Sequence, residues 1–253
     1  MGQAIIDEET LTGIADAIRT RKGTSDLIPT PNMRSEILSI SGGGGESHRE
    51  VASIIADGAS YIKTDIYPNP NYTIEMECRL HTIVDDRYDF FFGTRFGDAG
   101  RWQARFDTSS SSYPNGLRVQ RSPLYNASGS GNWIDTGTYK ADWMDFKKFR
   151  LEKNKVYIDE DDTLIGNFTA SASIAHYPFA LYLFSVNDSE EESHAVSGCG
   201  HIECKYVKIW DNNDNLVADF VPVVKMDGTV CMYDKVNKRY YYNAGTGTFT
   251  YTE

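Results

Sequence analysis

The sequence predicts a mostly β protein: an antiparallel β-sandwich of two sheets, preceded by two short α-helices. Three observations carry this expectation. Apolar residues keep a helical spacing through the first forty or so positions and switch to strict alternation from Val51 onward. Strand-like segments then recur at roughly 8 to 12 residue intervals, divided by Gly, Asn, Asp and Ser turns. No stretch after the glycine run "GGGG" carries the periodicity of an ordinary helix. At 253 residues, with 40% hydrophobic and 13% aromatic content, the chain has ample material for a core.

Residues 1–41 read as a helical attachment module. In "DEETLTGIADAIRTRKGTSD", Leu11, Ile14, Ala15 and Ile18 fall on one helical face, Asp7 caps the start, and Arg19, Arg21 and Lys22 precede Gly23. A second helix is predicted over "TPNMRSEILSI", with Thr30 as N-cap, Pro31 at the first helical position, and Met33, Ile37 and Ile40 along one side. Two such helices bury too little surface to stand alone. Leu11, Ile14, Ile18, Met33 and Ile37 are therefore expected to dock on each other and on a partner or symmetry mate. Residues 42–50, within "SGGGGESHRE", form a flexible glycine linker.

Residues 51–253 supply the sandwich. "YTIEMECRL" sends Tyr72, Ile74, Met76, Cys78 and Leu80 to one face and Thr73, Glu75, Glu77 and Arg79 to the other. "RWQARFD" does the same with Trp102, Ala104 and Phe106 inward. "FRLEKNKVYID" reads as a hairpin turning at Lys153 and Asn154. "FALYLFSV" is apolar on both faces and fits a central strand, whereas "HIECKYVKIWD" fits a long strand wetted on one side. In "VCMYDKVNKRYYYNAGTGTFTY", Tyr233, Tyr240, Tyr242 and Phe249 alternate with polar residues along two arms joined by "NAGTG". Such arms are expected to cover a core rather than a ligand.

Charge and motifs narrow the function. A formal charge of -11 opposes a phosphate backbone, so nucleic acid is not expected as a partner. The longest apolar runs are too short for membrane insertion, and "MGQAIIDEET" lacks a basic segment followed by an apolar one. Cys78, Cys199, Cys204 and Cys231 form no C-x-x-C pair and are expected as reduced core thiols, with a Cys199–Cys204 bridge as the alternative. No metal or other cofactor is expected. The acidic runs at Asp159–Asp162 and at Asp85, Asp86 and Asp89 offer calcium's oxygens without its full loop signature, and ordinary acidic turns are the favoured reading. Catalysis is not expected either: Glu75 and Glu77 alternate on one strand without a third acid to tune them, "SEEESH" reads as a solvated run, and no G-x-S-x-G appears.

Several stretches, "YIKTDIYPNPNYTIEMEC", "FRLEKNKVYIDEDDTLIGNF" and "CKYVKIWDNNDNLVADFVPVVKMDGTVCMYDKVNKRYYYNAGTGTF", together resemble the laminin-G-like, concanavalin-A-like sandwich domains in tail and baseplate proteins of phages that infect Gram-positive bacteria. The resemblance covers nearly all of residues 51–253. "LTGIADAIRTRKGTSDLIPTPNMRSEILSI" also resembles a short helical module at the front of such proteins. "YIDEDD" departs from the pattern by placing acids where related hairpins commonly turn on glycine. The resemblance implies a jelly-roll type sandwich and a noncatalytic virion structural protein, made in the host cytoplasm. It also implies contacts with other tail or baseplate subunits through the N-terminal helices, in a homo-oligomer with a trimer favoured.

The predicted recognition surface spans residues 107–143, where Ser, Gly and Asn are punctuated by aromatics. Its candidate glycan-binding residues are Tyr113, Arg118, Tyr125, Asn126, Trp133 and Trp143, since rings stack on sugars while Asn and Arg bond hydroxyls. A host-surface saccharide is the expected ligand, and the acidic balance disfavours strongly anionic wall polymers and leaves neutral saccharides or protein. Three alternatives stay open: an architectural subunit with no ligand, a glycan hydrolase on a sandwich fold, and a secreted bacterial adhesin.

Overall fold

The computed structural model describes residues 12, 13, 15, 16, 48–84, 87–96, 100–107, 115–122, 133–159, 161–168, 176–188 and 198–253. Chain contacts divide the protein into one unit, Met1–Arg49, and another, Glu50–Glu253. In the first unit Thr12, Gly13, Ala15 and Asp16 are helical, and Ala15 is buried. Leu11, Ile14, Ile18, Met33, Ile37 and the whole of the second predicted helix lie outside the described residues.

The strands follow in chain order: β1 (His48–Glu50), β2 (Ser53–Ile55), β3 (Ile62–Lys63), β4 (Thr73–Leu80), β5 (Asp89–Phe96), β6 (Gly100–Asp107), β7 (Gly116–Ser122) and β8 (Trp133–Tyr139). A 3-10 turn at Lys140–Trp143 leads to β9 (Lys147–Glu152), β10 (Lys155–Ile158), β11 (Thr163–Asn167) and β12 (Tyr182–Leu183). The chain closes with β13 (Ile202–Trp210), β14 (Leu216–Lys225), β15 (Val230–Asp234), β16 (Arg239–Tyr241) and β17 (Thr250–Thr252). The larger sheet runs β11-β10-β9-β4-β13-β14-β15-β16, with β2 joining β13 to β17. The smaller, six-stranded sheet runs β3-β12-β5-β6-β7-β8. Both are antiparallel, and together they form a sandwich-like pair.

Alternation decides which side chains fill the space between the sheets. Ile74, Met76, Cys78 and Leu80 of β4, and Trp102, Ala104 and Phe106 of β6, are all fully buried. Phe149 of the larger sheet meets Phe91 and Phe92 of the smaller one at 5.9 and 6.0 Å between ring centres. Each such ring contributes about 1.5–3 kcal/mol by leaving water. The predicted hairpin turns at Lys153, whose φ of 52° gives the left-handed turn, and pairs Lys155 with Glu152.

Two expectations need correction. "FALYLFSV" contributes a strand only at Tyr182–Leu183, between β3 and β5, because Phe184 adopts a φ of 64° and ends the extended run. The C-terminal arms β15 and β16 are joined by residues 235–238, with Lys238 at φ 52°, and not by "NAGTG". That glycine turn instead carries the chain across to β17, which pairs with β2. It must be glycine-rich there: a Cβ on Gly245 would sit 2.1 Å from the Ala59 carbonyl oxygen. Phe249 and Tyr241 enter the main core, whereas Tyr233 packs with Val223, Cys231 and Tyr240 in a separate outer cluster. Tyr242 stays 47% exposed.

Candidate ligand-binding face

The smaller sheet has a core face and an outward face, and β6 shows the difference residue by residue. Trp102, Ala104 and Phe106 point to the core, so Gln103, Arg105 and Asp107 point away from it. Cross-strand register then aligns two neighbouring rows. One runs Phe90, Arg105, Arg118, Asp135 across β5 to β8; the other runs Gly93, Gln103, Gln120, Trp133.

These rows meet around aromatic rings. The Arg105 guanidinium carbon lies 4.6 Å from the Tyr88 ring centre and 5.5 Å from those of Phe90 and Trp133. Arg118 approaches the same Trp133 ring at 5.4 Å. Arg118 donates from Nε and Nη2 to the two Asp135 oxygens, and from Nη1 to Asp107 Oδ2 at 2.9 Å. Hydrogen bonding to Asp135, joined by Asp107, raises its already high pKa and outweighs partial burial, so its charge and orientation are fixed. Arg105 is different. Burial pulls its pKa down, Asp107 lies a long 3.5 Å from Nη2, and Nε has no hydrogen-bond partner among the described residues.

Burial marks this as more than a wetted β-face. Gln103 is fully buried, Gln120 and Asp107 are 2% exposed, and Arg105 is 8% exposed. Gln103 Nε2 donates to Gln120 Oε1 at 3.2 Å, and Gln103 Oε1 meets no donor among the described residues. A desolvated polar group left in this way costs about 1–3 kcal/mol. Arg105 Nε and Gln103 Oε1 are thus a donor and an acceptor buried without partners among the described residues, in the rows that also carry Arg118 and Trp133.

The structure brings together two of the predicted glycan residues, Arg118 and Trp133. Tyr113, Tyr125 and Asn126 lie outside the described residues. Trp143 is corrected: it is fully buried, packs 4.9 Å from Phe91 and 6.2 Å from Phe106, and donates from Nε1 to Thr138 Oγ1 at 3.0 Å. The 3-10 turn after β8 folds it into the core, away from any ligand. Sequence reading passed over Tyr88, Gln103, Arg105 and Gln120. The available signal was the outward set of "RWQARFD", with Gln and Arg standing where a wetted strand more often carries Lys, Glu or Thr.

The other candidates resolve locally. Glu75 accepts a hydrogen bond from Tyr206 Oη at 3.1 Å, and Glu77 pairs with Lys205. Asp159 pairs with Lys147 at 2.8 Å and Asp162 with Lys148 at 3.0 Å, so cationic side chains occupy the acids where calcium was considered. Asp89 pairs with Lys140 at 2.7 Å, while Asp85, Asp86 and the "SEEESH" run lie outside the described residues. Among the described residues no group of three or more His, Cys, Asp or Glu is arranged to hold a metal ion. The four cysteines are free and buried, which corrects the alternative of a Cys199–Cys204 bridge. No helix among the described residues is long and apolar enough to cross a membrane. No protein-family model matches this chain, and no curated protein matches it.

Proposed function

We propose that the protein is a noncatalytic structural component of a phage tail or baseplate that adheres to a host-surface saccharide through the outward face of its smaller sheet. In this reading the sandwich is of the concanavalin-A/laminin-G-like jelly-roll type. Two short N-terminal helices attach it to neighbouring subunits, and copies assemble as a homo-oligomer, a trimer by preference. The support is the resemblance of residues 51–253 to such domains, together with one geometric observation. Trp133 is half-buried and stands beside the two guanidinium groups of Arg105 and Arg118, next to the Gln103–Gln120 pair. An indole plane suits the apolar face of a pyranose, and amide and guanidinium edges suit its hydroxyls. Single-site affinity at such a face is modest, and repetition on a symmetric particle multiplies it.

The experiment is a pull-down of the full chain on purified Gram-positive cell walls and on a glycan array. Wild type is expected to bind, and Trp133→Ala and Arg105→Gln to lose about tenfold or more in affinity. Binding undiminished in both variants moves recognition elsewhere, and no binding to wall or array by wild type favours the architectural role. Release of soluble sugar from the wall by wild type, abolished in Glu75→Gln, identifies a hydrolase.

A further inference from the structure

The larger sheet also presents a shaped site, on its own outward face. A groove of about 290 Å³ crosses β9, β4 and β13. Register places Glu75 between Arg150 and Lys208 in one row, and Thr73 between Glu152 and Trp210 in the next. Asp214 stands at one end, where it pairs with Lys153 at 3.0 Å. The turn bearing Asp214 is fixed by Asp211 Oδ1, which accepts backbone N–H bonds from Asn213 at 2.8 Å and Asn215 at 3.0 Å. Asp214 in that turn closes one end of an otherwise open groove.

Its chemistry is balanced. Three carboxylates, Glu75, Glu152 and Asp214, line the groove together with Arg150 and Lys208, and Lys153 pairs with Asp214. The Arg150 guanidinium carbon lies 4.5 Å from the Tyr157 ring centre, and its Nη2 lies 3.5 Å from both Glu152 and Asp162. Lys208 lies 5.4 Å above the Tyr206 ring. A carboxylate or phosphate entering here meets Glu75 and Glu152; an amine meets Arg150 and Lys208. Either pays a repulsion that an uncharged ligand avoids. Hydroxyl groups satisfy both sets, donating to the carboxylates and accepting from guanidinium and ammonium. Trp210, half-buried at the edge of the row, supplies an indole face for stacking.

We propose that this groove is a binding site for a neutral saccharide of one or two rings, separate from the face around Trp133. Its volume lies at the small end of ligand sites, which matches that size. The proposal stands whether or not the Trp133 face binds a glycan. If both do, one chain engages two saccharide segments on opposite layers of the sandwich, and the second engagement gains from effective concentration.

The test is an NMR titration of the full chain with its tryptophans isotopically labelled, Trp210 being assigned through Trp210→Phe. The probes are glucose and N-acetylglucosamine, with glucuronate and glucosamine as charged counterparts. The neutral sugars are expected to shift the Trp210 indole with Kd roughly in the millimolar range, and the charged pair to bind about tenfold more weakly. Glu75→Gln is expected to weaken the neutral sugars, whereas Trp133→Ala leaves the Trp210 response unchanged. A Trp210 signal unmoved by either neutral sugar overturns the proposal, and so does glucuronate or glucosamine binding as tightly as its neutral parent. Loss of wall adhesion in Trp133→Ala with the Trp210 response intact tests the two sites apart.

Discussion

Replacing Lys140 by methionine removes an ammonium group from a closed polar cage. Nζ lies 2.5 Å from the Val84 carbonyl oxygen, 2.9 Å from that of Arg87 and 2.7 Å from Asp89 Oδ2. The ammonium donates to the two carbonyls while its charge sits beside the Asp89 carboxylate. The side chains of Lys140 and Asp89 are 2% and 0% exposed, so water does little to screen the pair. Removing one partner of such a pair costs about 3–5 kcal/mol, because the survivor is a buried charge without its counterion. His201 eases this somewhat: its backbone N–H and Nδ1 reach Asp89 Oδ1 at 3.0 and 3.3 Å. The lower half of the range is expected. For a unit of this size each kcal/mol lowers Tm by about 2–4 °C, so the fall is about 6–16 °C. Calorimetry at pH 7 and urea unfolding both read it. Asp89→Asn should lose a similar amount, and the double variant should recover about 2 kcal/mol of the summed losses. A Tm within about 2 °C of wild type in Lys140→Met, or strict additivity in the double variant, refutes the reasoning.

Trp143→Ala should cost about 3–5 kcal/mol in urea unfolding, as for other buried aromatics, a loss that Trp133→Ala at its half-buried position does not approach. Glu203 titrates low: burial pushes it up, but hydrogen bonds from Ser53 at 2.5 Å and Arg79 at 2.8 Å outweigh that. Its stabilisation is therefore complete above an unfolded-state pKa of about 4.3 and lost as pH falls through the folded value. Glu203→Gln should lower stability at pH 7 and flatten its decline below pH of about 4, read as urea midpoints across that range. Burial raises all four thiols, Cys231 up to about 11, so alkylation at pH of about 8 should wait for unfolding; rapid labelling of the native protein would contradict the core assignment. Gly58→Ala should destabilise by about 2 kcal/mol, because φ is +80° and the new Cβ would lie 2.3 Å from the His201 ring.

Period-two alternation made the core legible in advance at Ile74, Met76, Cys78 and Leu80, and again at Trp102, Ala104 and Phe106, because a side chain's face is a local property of an extended chain. The Lys153 hairpin was legible for the same reason. What alternation leaves open is partnership. "KVNK" and "NAGTG" both carry turn residues, and only the pairing of β17 with β2 decides which of them closes the hairpin. Asp89 reads as a calcium candidate until a lysine 51 positions later in the chain is found in its cage. Trp143 reads as a loop aromatic until the 3-10 turn folds it inward.

The two outward faces show why the same alternation can mean different things. On the larger sheet, Glu77 pairs with Lys205, and Arg79 reaches Glu203 at 2.7 Å, so neighbouring charges satisfy each other without help. These two pairs help specify strand register. On the smaller sheet, Gln103 and Arg105 are desolvated, yet each keeps an atom without a hydrogen-bond partner among the described residues. Folding gains nothing from burying those atoms, since leucine at either position would cover the same surface without the penalty. Under the proposed function, a saccharide arriving at Trp133 and Arg118 has to shift the side chains that cover these atoms before it can supply the missing donor and acceptor.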